Sequence, residues 1–261
     1  PYTTKTILAG SRFFIVPIEW WKMSLLVRGL VKRYSHRKVV QDVEIQINPG
    51  EIVGLLGPNG AGKTTTFYMI VGLLRPDKGR IFLEGKDITR LPMYKRARQG
   101  IGYLSQEPSI FRQLTVRENI WAILETTKLT HLEKKEKLKS LLRDLGVEDL
   151  AENKACLLSG GEKRRVEISR TLVTTPQYIL LDEPFIGIDP ITTVEIQQIV
   201  GRLKNKGLGV LVTDHNVRET LEIIDRAYIM YEGRILLSGT AKELLESEEA
   251  RKVYLGEKFR M

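Results

Sequence analysis

Residues Ile52-Val53-Gly54-Leu55-Leu56-Gly57-Pro58-Asn59-Gly60-Ala61-Gly62-Lys63-Thr64-Thr65 pass from an apolar run into a glycine-rich loop and then into a helical pattern carrying Phe67, Met69, Ile70 and Leu73. A short, wholly apolar run bounded by turn residues reads as a strand buried on both faces, which belongs in a parallel sheet. The loop from Gly57 to Thr64 fits G-x-x-x-x-G-K-[ST]. Small residues at this spacing let backbone N–H groups wrap phosphate oxygens at a helix N-terminus. Lys63 is expected to reach the β and γ phosphates, and Thr64 to offer its hydroxyl to Mg2+. Gly57, Pro58, Asn59, Gly60, Ala61, Gly62, Lys63, Thr64 and Thr65 are therefore the candidate phosphate-binding residues.

Working outward, Leu25-Leu26-Val27 and the alternating Val43-Glu44-Ile45-Gln46-Ile47 read as strands before an Asn48-Pro49-Gly50 turn. Ile81-Phe82-Leu83 and Ile101-Gly102-Tyr103-Leu104 read as further strands. Residues 115–154 then shift to helical spacing, with Leu138, Leu141, Leu142 and Leu145 as a buried stripe. Tyr178-Ile179-Leu180-Leu181-Asp182 and Val210-Leu211-Val212-Thr213-Asp214 restore buried strands around a helical stretch from Thr193 to Lys206. Ala227-Tyr228-Ile229-Met230 and Arg234-Ile235-Leu236-Leu237 flank Tyr231-Glu232-Gly233 as a hairpin, and a helix rich in Glu and Lys follows. Buried strands alternating with helices predict an α/β core. With no internal repeat, one nucleotide cassette is expected rather than two in tandem.

A chain of 261 residues with 42% hydrophobic and 28% charged residues suits a soluble globular protein of one or two domains. Its longest charge-free stretches run eleven residues, as in 52–62, well short of the ~18 that signal a spanning helix. Cys156 is the only cysteine, which excludes an internal disulfide and a thiolate metal cluster and fits a reducing compartment. The net charge of +9 gathers in Lys86 to Arg112 and Lys128 to Arg143. A solvated face, anionic lipid and nucleic acid all remain open as its explanation. In residues 1–22, Phe13, Phe14, Trp20 and Trp21 crowd a segment whose only acid is Glu19. This segment is expected to be a non-native or disordered extension, with Met23 the natural start; Arg12 breaks any signal-like apolar core.

Asp182 ends an apolar strand and Glu183 follows it directly. A lone carboxylate there could cap the next helix, but two adjacent acids beside a phosphate loop can divide the work. Asp182 is expected to hold Mg2+ and Glu183 to polarise the attacking water, because phosphoryl transfer asks a protein mainly for positioning and charge stabilisation. Leu158-Ser159-Gly160-Gly161-Glu162, taken alone, is an ordinary turn at a helix start.

The order of Gly57 to Thr64, Gln106, Leu158 to Glu162, Leu181-Asp182-Glu183-Pro184, Gly187-Ile188-Asp189-Pro190 and His215 resembles the ATPase subunits of ABC transporters, over residues 24 to about 240. The resemblance implies one cassette over 23–240, with a RecA-like parallel-sheet core, a small antiparallel β subdomain and an α-helical signature subdomain at about 107–172. A helical tail covers 241–261. It also implies a homodimer in which the signature Leu158, Ser159, Gly160, Gly161 and Glu162 closes on the ATP of the other subunit. By the same resemblance Tyr34 stacks on adenine, Gln106 senses Mg2+ and the attacking water, and His215 contacts the γ-phosphate. Asp189 couples the two sites, and Phe111 with Arg112 lines a groove for a short helix of a membrane partner. Each has a plainer alternative: a strand-edge tyrosine, a solvent-facing glutamine, a structural histidine, an Asp-Pro turn and a core phenylalanine. Glu162 stands where the family more often has glutamine.

Finer wording in Ser105 to Arg112, Leu180 to Pro190, Thr213 to Thr220 and Val253 to Arg260 resembles the lipopolysaccharide-export branch. That implies ATP and Mg2+ as cofactors and a position on the cytoplasmic face of the inner membrane. It implies partners of the LptF and LptG type with LptC, which handle the lipopolysaccharide; no nucleic acid is expected. A branched-chain amino-acid-type importer ATPase is the nearest alternative. A nucleic-acid-associated ABC ATPase is the alternative from another class, although the single cassette and single cysteine fit it poorly.

Overall fold

A computed structural model describes residues 4–9, 12–17, 23–214 and 217–255, the first two stretches as backbone. Thr4–Ala9 (β1) and Arg12–Pro17 (β2) pair antiparallel. Leu25–Tyr34 (β3) and Arg37–Ile47 (β4) follow, then Ile52–Leu56 (β5), the glycine-rich loop and Lys63–Val71 (α1). Lys78–Leu83 (β6), Lys86–Asp87 (β7), Met93–Arg98 (α2) and Ile101–Leu104 (β8) lead into the helical insert. The insert holds Val116–Leu124 (α3), His131–Asp144 (α4) and Gly160–Leu172 (α5). Tyr178–Asp182 (β9), Pro190–Asn205 (α6), Gly209–Thr213 (β10), Val217–Leu221 (α7), Arg226–Tyr231 (β11), Arg234–Thr240 (β12), Ala241–Glu246 (α8) and Glu248–Ala250 (α9) complete the order.

Two larger sheets result. The six-stranded sheet runs β12-β11-β5-β10-β9-β8, parallel throughout except for β12, and the four-stranded sheet β4-β3-β6-β7 is antiparallel. Apolar character on both faces of β5, β9 and β10 explains why these strands are central. Ile52, Leu56, Ile179, Leu181, Val210 and Val212 join the core under the helical insert and α6. Val53, Leu55, Tyr178, Leu180 and Leu211 join the core under α1 and the antiparallel sheet. Period-two side-chain alternation thus splits each strand between two cores.

The expected leucine stripe of α4 is buried. Leu73 departs from its expected place in the first helical pattern: α1 ends at Val71, Gly72 turns into the left-handed region at φ 91°, and Leu73 is half exposed. Among the described residues no helix is long and apolar enough to cross a membrane.

Candidate active site

Parallel register brings the carboxyl ends of β5, β8, β9 and β10 to one edge, with Thr213 paired to both Leu55 and Asp182 and Leu104 paired to Leu181. Ligands bind at this edge in open α/β sheets. The loop after β5 wraps its own lysine: the Lys63 ammonium donates to the carbonyls of Gly57 at 2.7 Å and Pro58 at 3.1 Å. Burial lowers its proton affinity, while the nearby charges of Glu183, Asp182 and Asp214 oppose that shift. No acid occupies the first turn of α1, so its positive end is left for an anion. Gly62, at φ 104°, packs so tightly that a Cβ would lie 2.6 Å from the Val39 carbonyl oxygen.

Asp182 is buried at the end of β9. Its Oδ1 accepts from the Thr213 hydroxyl at 2.6 Å, and its Oδ2 is shielded from water without a hydrogen-bond donor. Burial raises its pKa above the ordinary carboxylate value, and the adjacent Glu183 adds to the shift. A shielded, unsatisfied carboxylate oxygen is the group a divalent cation would complete. No group of three or more His, Cys, Asp or Glu among the described residues could hold a metal. One carboxylate and a threonine hydroxyl completed by phosphate oxygens is the pattern Mg2+ takes, so the residues present fit it.

Glu183 occupies the left-handed region at φ 46°, a conformation that costs a non-glycine residue about 1–3 kcal/mol and collects at functional sites. Its N–H donates to the Thr213 carbonyl at 2.8 Å, which holds the turn against β10. Its carboxylate accepts from Gln106 Nε2 at 2.9 Å, so the two expected catalytic residues meet. Gln106 also lines a cleft of about 280 Å³ with Tyr68, Ser105, Glu107, Pro108 and Ser109. His215 lies outside the described residues.

The signature segment starts α5. Ser159 caps it, with Oγ accepting from Glu162 N at 3.3 Å, while the Glu162 carboxylate accepts from Ser159 N at 2.7 Å. These bonds hold the Glu162 pKa below the ordinary value. Glutamate and glutamine both close such a box, which accounts for the departure from the commoner residue. Gly161 is buried against α6, where a Cβ would fall 2.0 Å from Thr192 Cγ2. Asp189 caps α6, accepting from Thr192 N at 3.0 Å and from the Thr192 hydroxyl at 2.6 Å. The plainer turn role of Asp189 is thus realised within one chain. Ser159 bonds to Glu162, and among the described residues no hydrogen bond joins its side chain to the glycine-rich loop.

Tyr34 is half exposed at the end of β3, with the Lys32 ammonium 5.8 Å from its ring centre. Phe111 is 46% exposed, which removes the core alternative, and the Arg170 guanidinium stacks 4.4 Å from its ring centre. Arg112 is exposed beside it. Sequence reasoning missed Arg164. This buried arginine of α5 donates to the carbonyls of Ser105, Asp182, Glu183 and Pro184 and pairs with Glu167 at 3.3 Å. It joins α5 to the turns that carry Gln106 and Glu183. Charges three apart on an otherwise core-facing helix were the available signal.

The ABC transporter family model matches residues 40–186. The lipopolysaccharide export system ATP-binding protein LptB of Acidithiobacillus ferridurans is 54% identical over 91% of this chain and 98% of its own length. LptB of Haemophilus influenzae is 54% identical over 92% of this chain and all of its own length. The Escherichia coli K12 protein of that name is 50% identical over 91% and 99%. A crystal structure of the ADP conformation of an ABC-transporter ATP-binding cassette superposes with a TM-score of 0.80 at 32% identity, covering 89% of this chain and 98% of that one. The chain therefore belongs to the ABC transporter family, as an ATP-binding cassette.

Proposed function

We propose that this chain is the ATP-hydrolysing subunit that powers extraction of lipopolysaccharide from the inner membrane for export. The observation that carries the chemistry is the Gln106–Glu183 pair set beside the orphaned oxygen of Asp182 and the buried Lys63. The transported lipid is supported by the LptB relatives, which align over almost their whole length.

On this reading the loop N–H groups and Lys63 hold the phosphates of ATP, and Tyr34 offers its face to adenine. Asp182 and Thr64 would hold Mg2+, which supplies charge neutralisation on the phosphates. Glu183, aimed by Gln106 and by its bond to β10, accepts the proton of the attacking water. Ser159 and Gly161 act on the nucleotide of a second copy, so a homodimer is the working unit. Phe111 and Arg112 face integral membrane subunits of the LptF and LptG type, with LptC, at the cytoplasmic face of the inner membrane.

Glu183→Gln is the test. Turnover should fall by about 10²–10⁴-fold while ATP remains bound in equilibrium dialysis. Near-wild-type hydrolysis would remove Glu183 from the role of base.

A further inference from the structure

We propose that the Glu232-Gly233 turn between β11 and β12, braced by Gln41, is a positioning element for the phosphate loop. The inference rests on residues 57–64 being that loop. Gly233 N–H donates to the Ala61 carbonyl at 2.9 Å. Every described peptide bond is trans, so the Ala61 carbonyl and the Gly62 N–H, which share one plane, point in opposite directions. Fixing the carbonyl outward on the hairpin turns the Gly62 N–H toward the opposite side, where a phosphate would lie.

The fit around this bond is close. A Cβ at Gly233 would come 2.6 Å from the Val39 carbonyl oxygen, the same oxygen that confines Gly62. One residue type is therefore required on both sides of Val39. Met230, buried at a register shift of β11, fills the space behind the loop: its Cε would meet a Cβ at Gly62 at 2.8 Å, and its carbonyl oxygen a Cβ at Gly57 at 2.1 Å. Gln41 holds the turn from outside. Its N–H donates to the Gly233 carbonyl at 2.7 Å, and its Nε2 donates to the Glu232 carbonyl at 3.0 Å. Arg234 Nη2 in turn donates to Gln41 Oε1 at 3.3 Å.

The chain contains its own control. Glu84-Gly85, between β6 and β7, has the same left-handed pair of φ values, 49° and 78° against 46° and 83°, yet a Cβ at Gly85 meets nothing within 4 Å. Gly233→Ala and Gly85→Ala thus impose the same backbone strain, and only the first pushes on Val39 and the loop.

ATP affinity by titration, steady-state KM and kcat, and Tm are to be measured for the full chain and for Gly233→Ala, Gly85→Ala, Gln41→Ala and Lys63→Ala. Gly233→Ala should raise both the Kd and the KM for ATP by about two- to tenfold, the range of one net hydrogen bond, with kcat at saturation changing less. Gln41→Ala should move both in the same direction, and this holds the inference to account if Gly233→Ala does not fold. Gly85→Ala should lower Tm and leave the Kd for ATP unchanged. Wild-type ATP affinity in Gln41→Ala, or in a folded Gly233→Ala, would overturn the inference, as would an equal loss of affinity in Gly85→Ala. Wild-type affinity in Lys63→Ala would instead overturn the assignment of the loop.

Discussion

Replacing Asp182 by Asn should make the nucleotide-free protein more stable while removing its activity. In the wild type one carboxylate oxygen of Asp182 is shielded from solvent with no donor, and burial raises the group's pKa. An asparagine keeps the bond from the Thr213 hydroxyl through Oδ1 and removes the buried charge. The amide Nδ2 takes over the shielded position without a partner, so the gain is only the extra cost that an ionised group carries there over a neutral one, on the order of 1–3 kcal/mol. An unfolding entropy of about 2.1 cal/mol/K per residue over 261 residues converts this to a Tm increase of roughly 2–5 °C. Thermal melts in chelator at about pH 7, with ATPase assays alongside, measure both effects.

The pH dependence carries a definite sign. Because the folded pKa of Asp182 lies above the unfolded one, its ionisation costs folding free energy. The penalty is absent below the ordinary carboxylate value, where both states are protonated, and it appears as pH rises through the folded value. The stability gap between variant and wild type should therefore close on acidification. A variant that melts at or below wild type near neutrality, or a gap that widens in acid, would refute the reasoning.

Gly161→Ala should lower Tm and ATPase activity, because its Cβ would overlap Thr192 Cγ2. Adding Thr192→Ser, which deletes that methyl and keeps the hydroxyl bond to Asp189, should restore part of both, and strict additivity in the double variant would contradict the steric account. Glu162→Ala should cost about 0.5–2 kcal/mol through loss of the capping box, whereas Glu162→Gln should melt near wild type; equal melts for both would remove the box as the reason for an acid here. Phe111→Ala should weaken co-purification with the membrane subunits more than ATP binding, and unchanged co-purification would remove Phe111 from that surface.

Much of the candidate site is legible in the sequence, because phosphate chemistry imposes local spacing. A loop that wraps phosphate with backbone N–H groups needs small residues and a lysine at fixed offsets, so Gly57 to Thr64 declares itself. The strands were legible for a similar reason: β5, β9 and β10 are apolar at consecutive positions, which only burial on both faces explains. Leu73 misled because periodicity continues past the glycine that ends α1.

Local spacing also placed Asp182 and Glu183 side by side, as neighbours at a strand end. Tertiary structure alone decided what surrounds them. Gln106 reaches Glu183 because β8 and β9 pair in parallel register, and Arg164 reaches four carbonyls because α5 packs under both strand ends. The sequence read Tyr231-Glu232-Gly233 as a hairpin and nothing more; packing against β4 sets that turn on the carbonyl of Ala61. Contacts between residues distant in the chain leave no periodic trace in it, since backbone carbonyls, which every residue carries, accept most of these bonds.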